Sequence, residues 1–147
     1  MEGAARTHLA VFLANAGDLE RAEQEARSAI ELLRLAAVPL LPRALAALSN
    51  ALLGQGRTAE ALIVARDARV PLEGPVEEGN AFVRLVHAEA LEASGDRHGA
   101  RAEIADAKTR LLDRAAKISN AEIRKGFLER VPEHARTLAL AHEWLHD

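Results

Sequence analysis

The last residues of the chain contain a spacing that can bind zinc. His142, Glu143 and His146 stand in the order H-E-x-x-H, within the segment HEWLH. On a helix, two histidines four residues apart project from one face and can hold a metal ion, while the glutamate activates the bound water. A thiolate metal site is excluded because the chain has no cysteine. A zinc-dependent hydrolase is therefore one hypothesis for this sequence.

The position of this motif argues against catalysis. Only one residue follows it, so a third ligand would have to come from elsewhere. His134 lies eight residues before His142, a helical separation of about 12 Å, which is too far to share a metal. His8, His87 and His98 stand at no metal-ligand spacing, and no phosphate-binding glycine loop or nucleophile elbow is present. We therefore expect no catalytic residue, no metal and no cofactor.

The composition indicates an all-α protein. Of the 147 residues, 49% are hydrophobic but only 3% are aromatic, so Ala, Leu, Val and Ile supply most of the apolar surface. Ala and Leu favour helices, and few segments alternate apolar and polar residues as strands do. The net charge of −3 leaves no strong basic stripe for nucleic acid, and no apolar run reaches the roughly 20 residues of a membrane span. We expect a cytoplasmic protein that binds neither nucleic acid nor membrane.

A repeat with a period of 39 residues organises most of the chain. It is anchored on Gly17, Gly56 and Gly95, whose surrounding segments align without gaps. We expect each glycine to follow the end of one helix and to turn the chain, often through a positive φ. Five and twelve residues after each glycine an alanine recurs, where a small side chain lets two helices approach closely. These alanines are Ala22, Ala29, Ala61, Ala68, Ala100 and Ala107.

Apolar periodicity and turn residues then predict eight helices. Their expected ranges are 3–15, 18–36, 42–54, 57–69, 76–94, 97–117, 120–130 and 133–146. Asp18 and Thr58 are expected to help cap the second and fourth helices, and Ser119 or Asn120 to open the seventh. The mixed charges along 97–117 are typical of a solvated helix face.

These repeats resemble the tetratricopeptide family, whose helix–turn–helix units place small residues at the same offsets from a turn glycine. The resemblance covers about residues 3–36, 42–75 and 81–114, and 119–146 would form a terminal helical pair that covers the last repeat. It implies a single domain over 1–147, folded as a right-handed α-solenoid of three repeats.

The sequence also departs from the family pattern. The period is longer than the family's roughly 34 residues, and the early aromatic position is occupied by Arg6, Leu45 and Arg84. The closing segment resembles the end of the C-terminal tetratricopeptide region in large multidomain bacterial signalling proteins.

The resemblance further implies a partner-binding groove, because the family binds its ligands on the surface made by the first helix of each pair. Carried onto this sequence, the groove positions are Thr7, Val11, Asn15, Arg43, Asn50, Leu53, Phe82, Leu85, Glu89 and Glu92. An asparagine there can hold a peptide backbone with both a donor and an acceptor. The two glutamates of the third repeat favour a partner with basic groups.

The favoured hypothesis is a non-catalytic module that binds a protein or peptide segment, within a larger bacterial regulatory protein. A structural spacer or dimerisation element without a ligand of its own is the alternative, and the HEWLH hydrolase is the remote one. We also expect the first helix pair to hide a face carrying Leu9 and Leu13, by stacking on another copy or on upstream repeats of the same chain.

Overall fold

The described part of the chain consists of helices joined by short turns. The computed structural model describes residues 2–36, 40–70 and 80–145, which form eight α-helices and no strand. The helices are α1 Glu2–Asn15, α2 Leu19–Ala36, α3 Leu41–Gly54, α4 Thr58–Arg69, α5 Ala81–Ala93, α6 Arg97–Ala116, α7 Ala121–Glu129 and α8 Pro132–Leu145. Each predicted bound lies within one residue of the observed one, except at the start of α5. The prediction places that start at residue 76, whereas α5 begins at Ala81 after its N-cap Asn80. Residues 76–79 and 146 lie outside the described residues. No helix in these ranges has the length and apolar character needed to cross a bilayer.

The three repeat glycines follow α1, α3 and α5 in the predicted conformation. Gly17, Gly56 and Gly95 have φ values of 89°, 80° and 95°. In the first turn, the Gly17 N–H donates to the carbonyl of Ala14 at 3.1 Å and the next N–H donates to that of Leu13 at 2.9 Å. The other two turns repeat both bonds. This closure satisfies carbonyls at the helix end and requires a left-handed residue, which glycine adopts without steric strain. The predicted glycine turns are confirmed.

Small side chains set the distance between the paired helices. The helices pack in sequential pairs, α1 with α2, α3 with α4 and α5 with α6. All six repeat alanines are buried, as the sequence predicts. Ser49 occupies a similar close contact in the second pair, and its hydroxyl donates to the carbonyl of Ala61 at 2.7 Å. The buried hydroxyl is therefore satisfied without separating α3 from α4.

Successive pairs stack in one recurring way. α3 packs on both α1 and α2, and α5 packs on both α3 and α4. α8 packs on both α5 and α6, so it stands where the first helix of a fourth pair would stand. Leu140 and Ala141 of α8 are buried against Leu85 and Ala88 of α5, with Trp144 beside them. No residue of α7 is buried, although Phe127 of α7 lies under the guanidinium of Arg114 of α6, so α8 supplies most of the cover of the last pair.

Two of the predicted helix starts have different outcomes. Asn120 caps α7 by accepting a hydrogen bond from the Ile123 N–H at 3.0 Å, which confirms one of the two residues proposed there. The prediction for Thr58 is wrong, because Thr58 is the first residue inside α4 and Arg57 takes the capping position without a side-chain cap. Asp96 caps α6 through the Gly99 N–H at 2.9 Å, a signal that the sequence contained.

The expectation of an open Leu9 and Leu13 face is wrong. Leu13 is buried with Ala22 of α2 and Ala51 of α3, and Leu9 packs against the same cluster. The face is therefore covered inside the chain by the neighbouring helices. The large apolar side chain that α1 leaves in solvent is instead Phe12, at 68% exposure.

Candidate functional site

Four helices line an open cavity, and most of the predicted groove positions lie on its walls. We call it the four-helix cavity, and its volume is about 260 Å³. Helices α1, α3 and α5 contribute residues that the sequence predicts, and α8 contributes residues that it does not. The lining residues are Val11, Asn15, Asn50, Phe82, Leu85, Glu89, Pro132, Glu133 and Arg136.

The repeat explains why three of these residues converge. Residues 39 positions apart occupy matching places in successive pairs, and we call them repeat-equivalent. Val11, Asn50 and Glu89 are repeat-equivalent, and all three line the four-helix cavity. Because α1, α3 and α5 stack in the same way, one helix face of each is turned towards the same space. The cavity changes from apolar to amide to carboxylate across the three pairs.

Four predicted groove residues lie outside the lining. Thr7 is only 3% exposed, and its hydroxyl donates to the carbonyl of Gly3 at 2.9 Å within α1. Leu53 packs against the main apolar core. Glu92 faces Arg97 across 3.5 Å at the far end of α5. These three side chains have structural partners and do not face the cavity.

The fourth, Arg43, lies beside the cavity. Its guanidinium carbon is 4.9 Å from the centre of the Phe82 ring, and its Nη1 is 3.5 Å from the Glu133 carboxylate of α8. A cation above an aromatic ring is attracted by the ring's negative face. Arg43 therefore helps to fix α8 and the Phe82 wall, rather than projecting into the cavity as a free charge.

α8 supplies charges that the sequence reasoning missed. The Nη2 of Arg136 is 3.5 Å from the Glu89 carboxylate, although Arg136 remains largely exposed. Burial raises the pKa of Glu89, and the attraction of Arg136 only partly opposes this effect. The cavity thus contains a carboxylate that is incompletely compensated.

A signal for these α8 residues exists in the sequence. Glu133, Arg136, Leu140 and Trp144 follow one another at helical spacing along one face. The apolar half of this stripe, Leu140 with Trp144, packs near Leu85, and the polar half reaches the cavity. A stripe that changes from polar to apolar along its length predicts a helix that is docked at one end and open to a site at the other.

A second group of charged side chains lines an open cleft of about 600 Å³ between α4, α5 and α6. Glu103 is 8% exposed and accepts hydrogen bonds from the Nε of Arg69 at 2.8 Å and from the Nδ1 of His87. Arg84 is 1% exposed and lies 3.3 Å from a carboxylate oxygen of Asp106. The expectation that the charges of 97–117 mark a solvated face is therefore wrong for Glu103, because α4 and α5 cover it.

Burial by itself raises the pKa of Glu103. Hydrogen bonds and attraction from His87 and Arg69 lower that pKa by more than burial raises it, so the net shift is downwards. The carboxylate therefore stays ionised and accepts the His87 Nδ1–H. The positions of Arg84 and Glu103 are repeat-equivalent to those of Arg6 and Glu25, which form an ion pair in the first repeat. In the second repeat the same positions hold Leu45 and Val64, which pack in the main apolar core.

Within the HEWLH motif, the tryptophan side chain packs against the apolar core. His142 and Glu143 are exposed at the end of α8, Trp144 packs against the α5 and α8 cluster, and His146 lies outside the described residues. His134 is buried, and its Nδ1–H donates to the carbonyl of Phe127 at 2.6 Å. Within the described ranges, no three His, Asp or Glu side chains converge to hold a metal ion.

Comparison with known proteins adds no relative, since no family model, no curated protein and no solved structure matches the chain. The functional interpretation therefore depends on the repeat and on the geometry of the four-helix cavity.

Proposed function

We propose that this chain is a tetratricopeptide-like helical-repeat module that binds a protein segment in the four-helix cavity. The observation that carries the proposal is the convergence of the repeat-equivalent residues Val11, Asn50 and Glu89 on one space. In a helical-repeat array, matching positions of successive repeats form an extended binding surface. A surface built by repetition suits a ligand that extends along several repeats, which a protein segment does.

The lining supports recognition of an extended backbone. Asn15 and Asn50 each offer an amide donor and a carbonyl acceptor, which together can pair with the N–H and C=O groups of a peptide. Phe82 and Leu85 supply an apolar wall beside them. Polar groups that fix orientation and an apolar wall that contributes burial are the usual components of a binding cleft.

The charges favour a basic side chain on the partner. Glu89 and Glu133 both face the cavity, and burial disfavours the ionised form of Glu89. A lysine or arginine of the ligand would compensate Glu89 at close range, while its apolar stem packs along Val11 and the ring of Phe82. It would displace Arg136, whose contact with Glu89 is long at 3.5 Å and largely exposed.

Selection from a random peptide library on the immobilised chain tests this function. We expect enriched peptides to share a lysine or arginine, and we would measure their affinity by fluorescence polarisation. Asn50→Ala should weaken binding, and Glu89→Gln should weaken it by about tenfold or more, since a hydrogen bond to a charged group contributes roughly 1.5–3 kcal/mol. The matched control is Glu143→Gln, the same change at an exposed carboxylate of α8.

The choice of variants follows from the packing. Leu85 is unsuitable although it lines the cavity, because it also packs against Leu140 of α8 and its replacement by a charge would damage the fold. Circular dichroism of each variant must match that of the wild-type chain. Equal binding by Glu89→Gln and Glu143→Gln would place the ligand elsewhere. Failure to enrich any peptide would favour the spacer hypothesis.

A further inference from the structure

One residue of α1 breaks the repeat at a position that the other pairs bury completely. Phe12 is repeat-equivalent to Ala51 of α3 and Ala90 of α5. Both alanines are fully buried, whereas Phe12 is 68% exposed. Ala51 is buried against Leu13 and Ala22, which belong to the preceding pair. Phe12 therefore lies on the face of α1 that corresponds to the face with which α3 packs against the preceding helix pair.

The rest of that face repeats the same contrast. Ala5 and His8 are exposed, and with Phe12 they form one stripe along α1 at helical spacing. Their repeat-equivalent residues are all buried: Ala44, Ala47, Val83 and Val86. α1 thus presents to solvent a face that α3 and α5 use for packing between pairs.

The phenyl ring determines what can cover this face. At Ala51 and Ala90 the first helix of the pair carries only a methyl group, and the surrounding helices cover both residues completely. A benzyl group at the same position would hold a preceding pair away from α1, since tightly packed interfaces do not accept added volume. A suitable partner must instead offer a small residue opposite Phe12.

We propose that two copies of this chain associate through their α1 helices, arranged antiparallel about a twofold axis that passes close to His8. Ala5 lies seven residues before Phe12 on the same stripe, about 10 Å away along the helix. An antiparallel pair therefore places each Phe12 over the Ala5 of the second copy. This self-complementary match of a large and a small residue meets the requirement of an isologous interface. It uses a surface distinct from the floor of the four-helix cavity and does not depend on the proposed function.

The expected dimer is weak. The described part of α1 has 14 residues, and one helix pair buries less area than the roughly 1,200–2,000 Å² of a stable interface. Association should therefore depend on concentration in the micromolar to millimolar range. Both copies of Phe12 lie in the contact, and burial of each is worth more than about tenfold in association.

Sedimentation equilibrium of the 147-residue chain over that concentration range tests the proposal. The weight-average mass of the wild type should rise from 15.8 kDa towards twice that value. Phe12→Asp should reduce the association constant about a hundredfold or more. The control is Ile63→Asp on α4, since Ile63 is 61% exposed and lies on another surface. A wild-type chain that stays monomeric, or equal loss in both variants, would overturn the proposal.

A second measurement tests the antiparallel geometry. The chain has no cysteine, so single cysteines report only the contact under test. His8→Cys places two thiols beside the proposed axis, within the roughly 7 Å between Cα atoms that a disulfide allows, and it should form a covalent dimer in a glutathione redox buffer. Ile63→Cys, which also stands at an exposed position, should remain largely monomeric. Cross-linking of Ile63→Cys as readily as His8→Cys would contradict the antiparallel α1 interface, even if the chain dimerises.

Discussion

Gly56→Ala tests the physical basis of the repeat directly. Gly56 has a φ of 80°, and a Cβ added there would meet no atom within 4 Å. The substitution therefore creates no clash, and its effect comes from the backbone. An L-residue in the left-handed region costs about 1–2 kcal/mol, and the reduced entropy of the unfolded chain returns about 0.4–1 kcal/mol. We expect the free energy of unfolding to fall by about 1 kcal/mol, measured by urea unfolding with circular dichroism at 222 nm.

The same chemical change should have the opposite sign at Gly126. That glycine lies within α7, where an added Cβ would make ordinary contacts with Arg130 at 3.7 Å. Alanine is favoured over glycine inside a helix by about 0.5–1 kcal/mol, so Gly126→Ala should stabilise the chain. Gly17→Ala and Gly95→Ala should match Gly56→Ala, because both glycines have a positive φ and no atom near the added Cβ. If Gly56→Ala proves as stable as the wild type, the left-handed turn is not needed in solution.

Three further changes have defined outcomes. Because the folded-state pKa of Glu103 is lowered, its contribution to stability is complete above the unfolded value of about 4.3 and is lost as the pH falls through the lower folded value. Glu103→Gln should lower the free energy of unfolding by about 2 kcal/mol at pH 7. It should also reduce the loss of stability at acid pH, and an unchanged acid limb of the stability-versus-pH profile would exclude this carboxylate as the cause. Ser49→Ala should cost about 1 kcal/mol or less in thermal unfolding, because only the 2.7 Å bond to Ala61 is lost and the repeat accepts alanine there; a loss above 3 kcal/mol would mean that the contact repacks. Asp96→Ala removes the cap from the Gly99 N–H and should cost about 1 kcal/mol in urea unfolding, while Asp96→Asn, which retains an acceptor, should cost less.

The lining of the four-helix cavity could be predicted only in part from the sequence. Six of the ten proposed groove residues line the four-helix cavity, because the helices that hold them repeat at a fixed period. Thr7 does not, since its hydroxyl bonds to the α1 backbone. Arg136 was missed because its approach to Glu89 joins residues 47 positions apart. The stripe along α8 indicates that Arg136 faces a site, but it does not encode which residue Arg136 meets there.

The sequence by itself determined the eight helices, the three glycine turns and the alanine contacts. Each of these depends on residues within about one helix turn, or on a small side chain whose purpose is the same in every repeat. Tertiary structure decided which faces are covered. It buried Leu13 while leaving Phe12 in solvent, and it placed Glu103 beneath Arg69 and His87. Burial depends on what packs against a helix, so identical periodicity along α1 is compatible with either face being exposed.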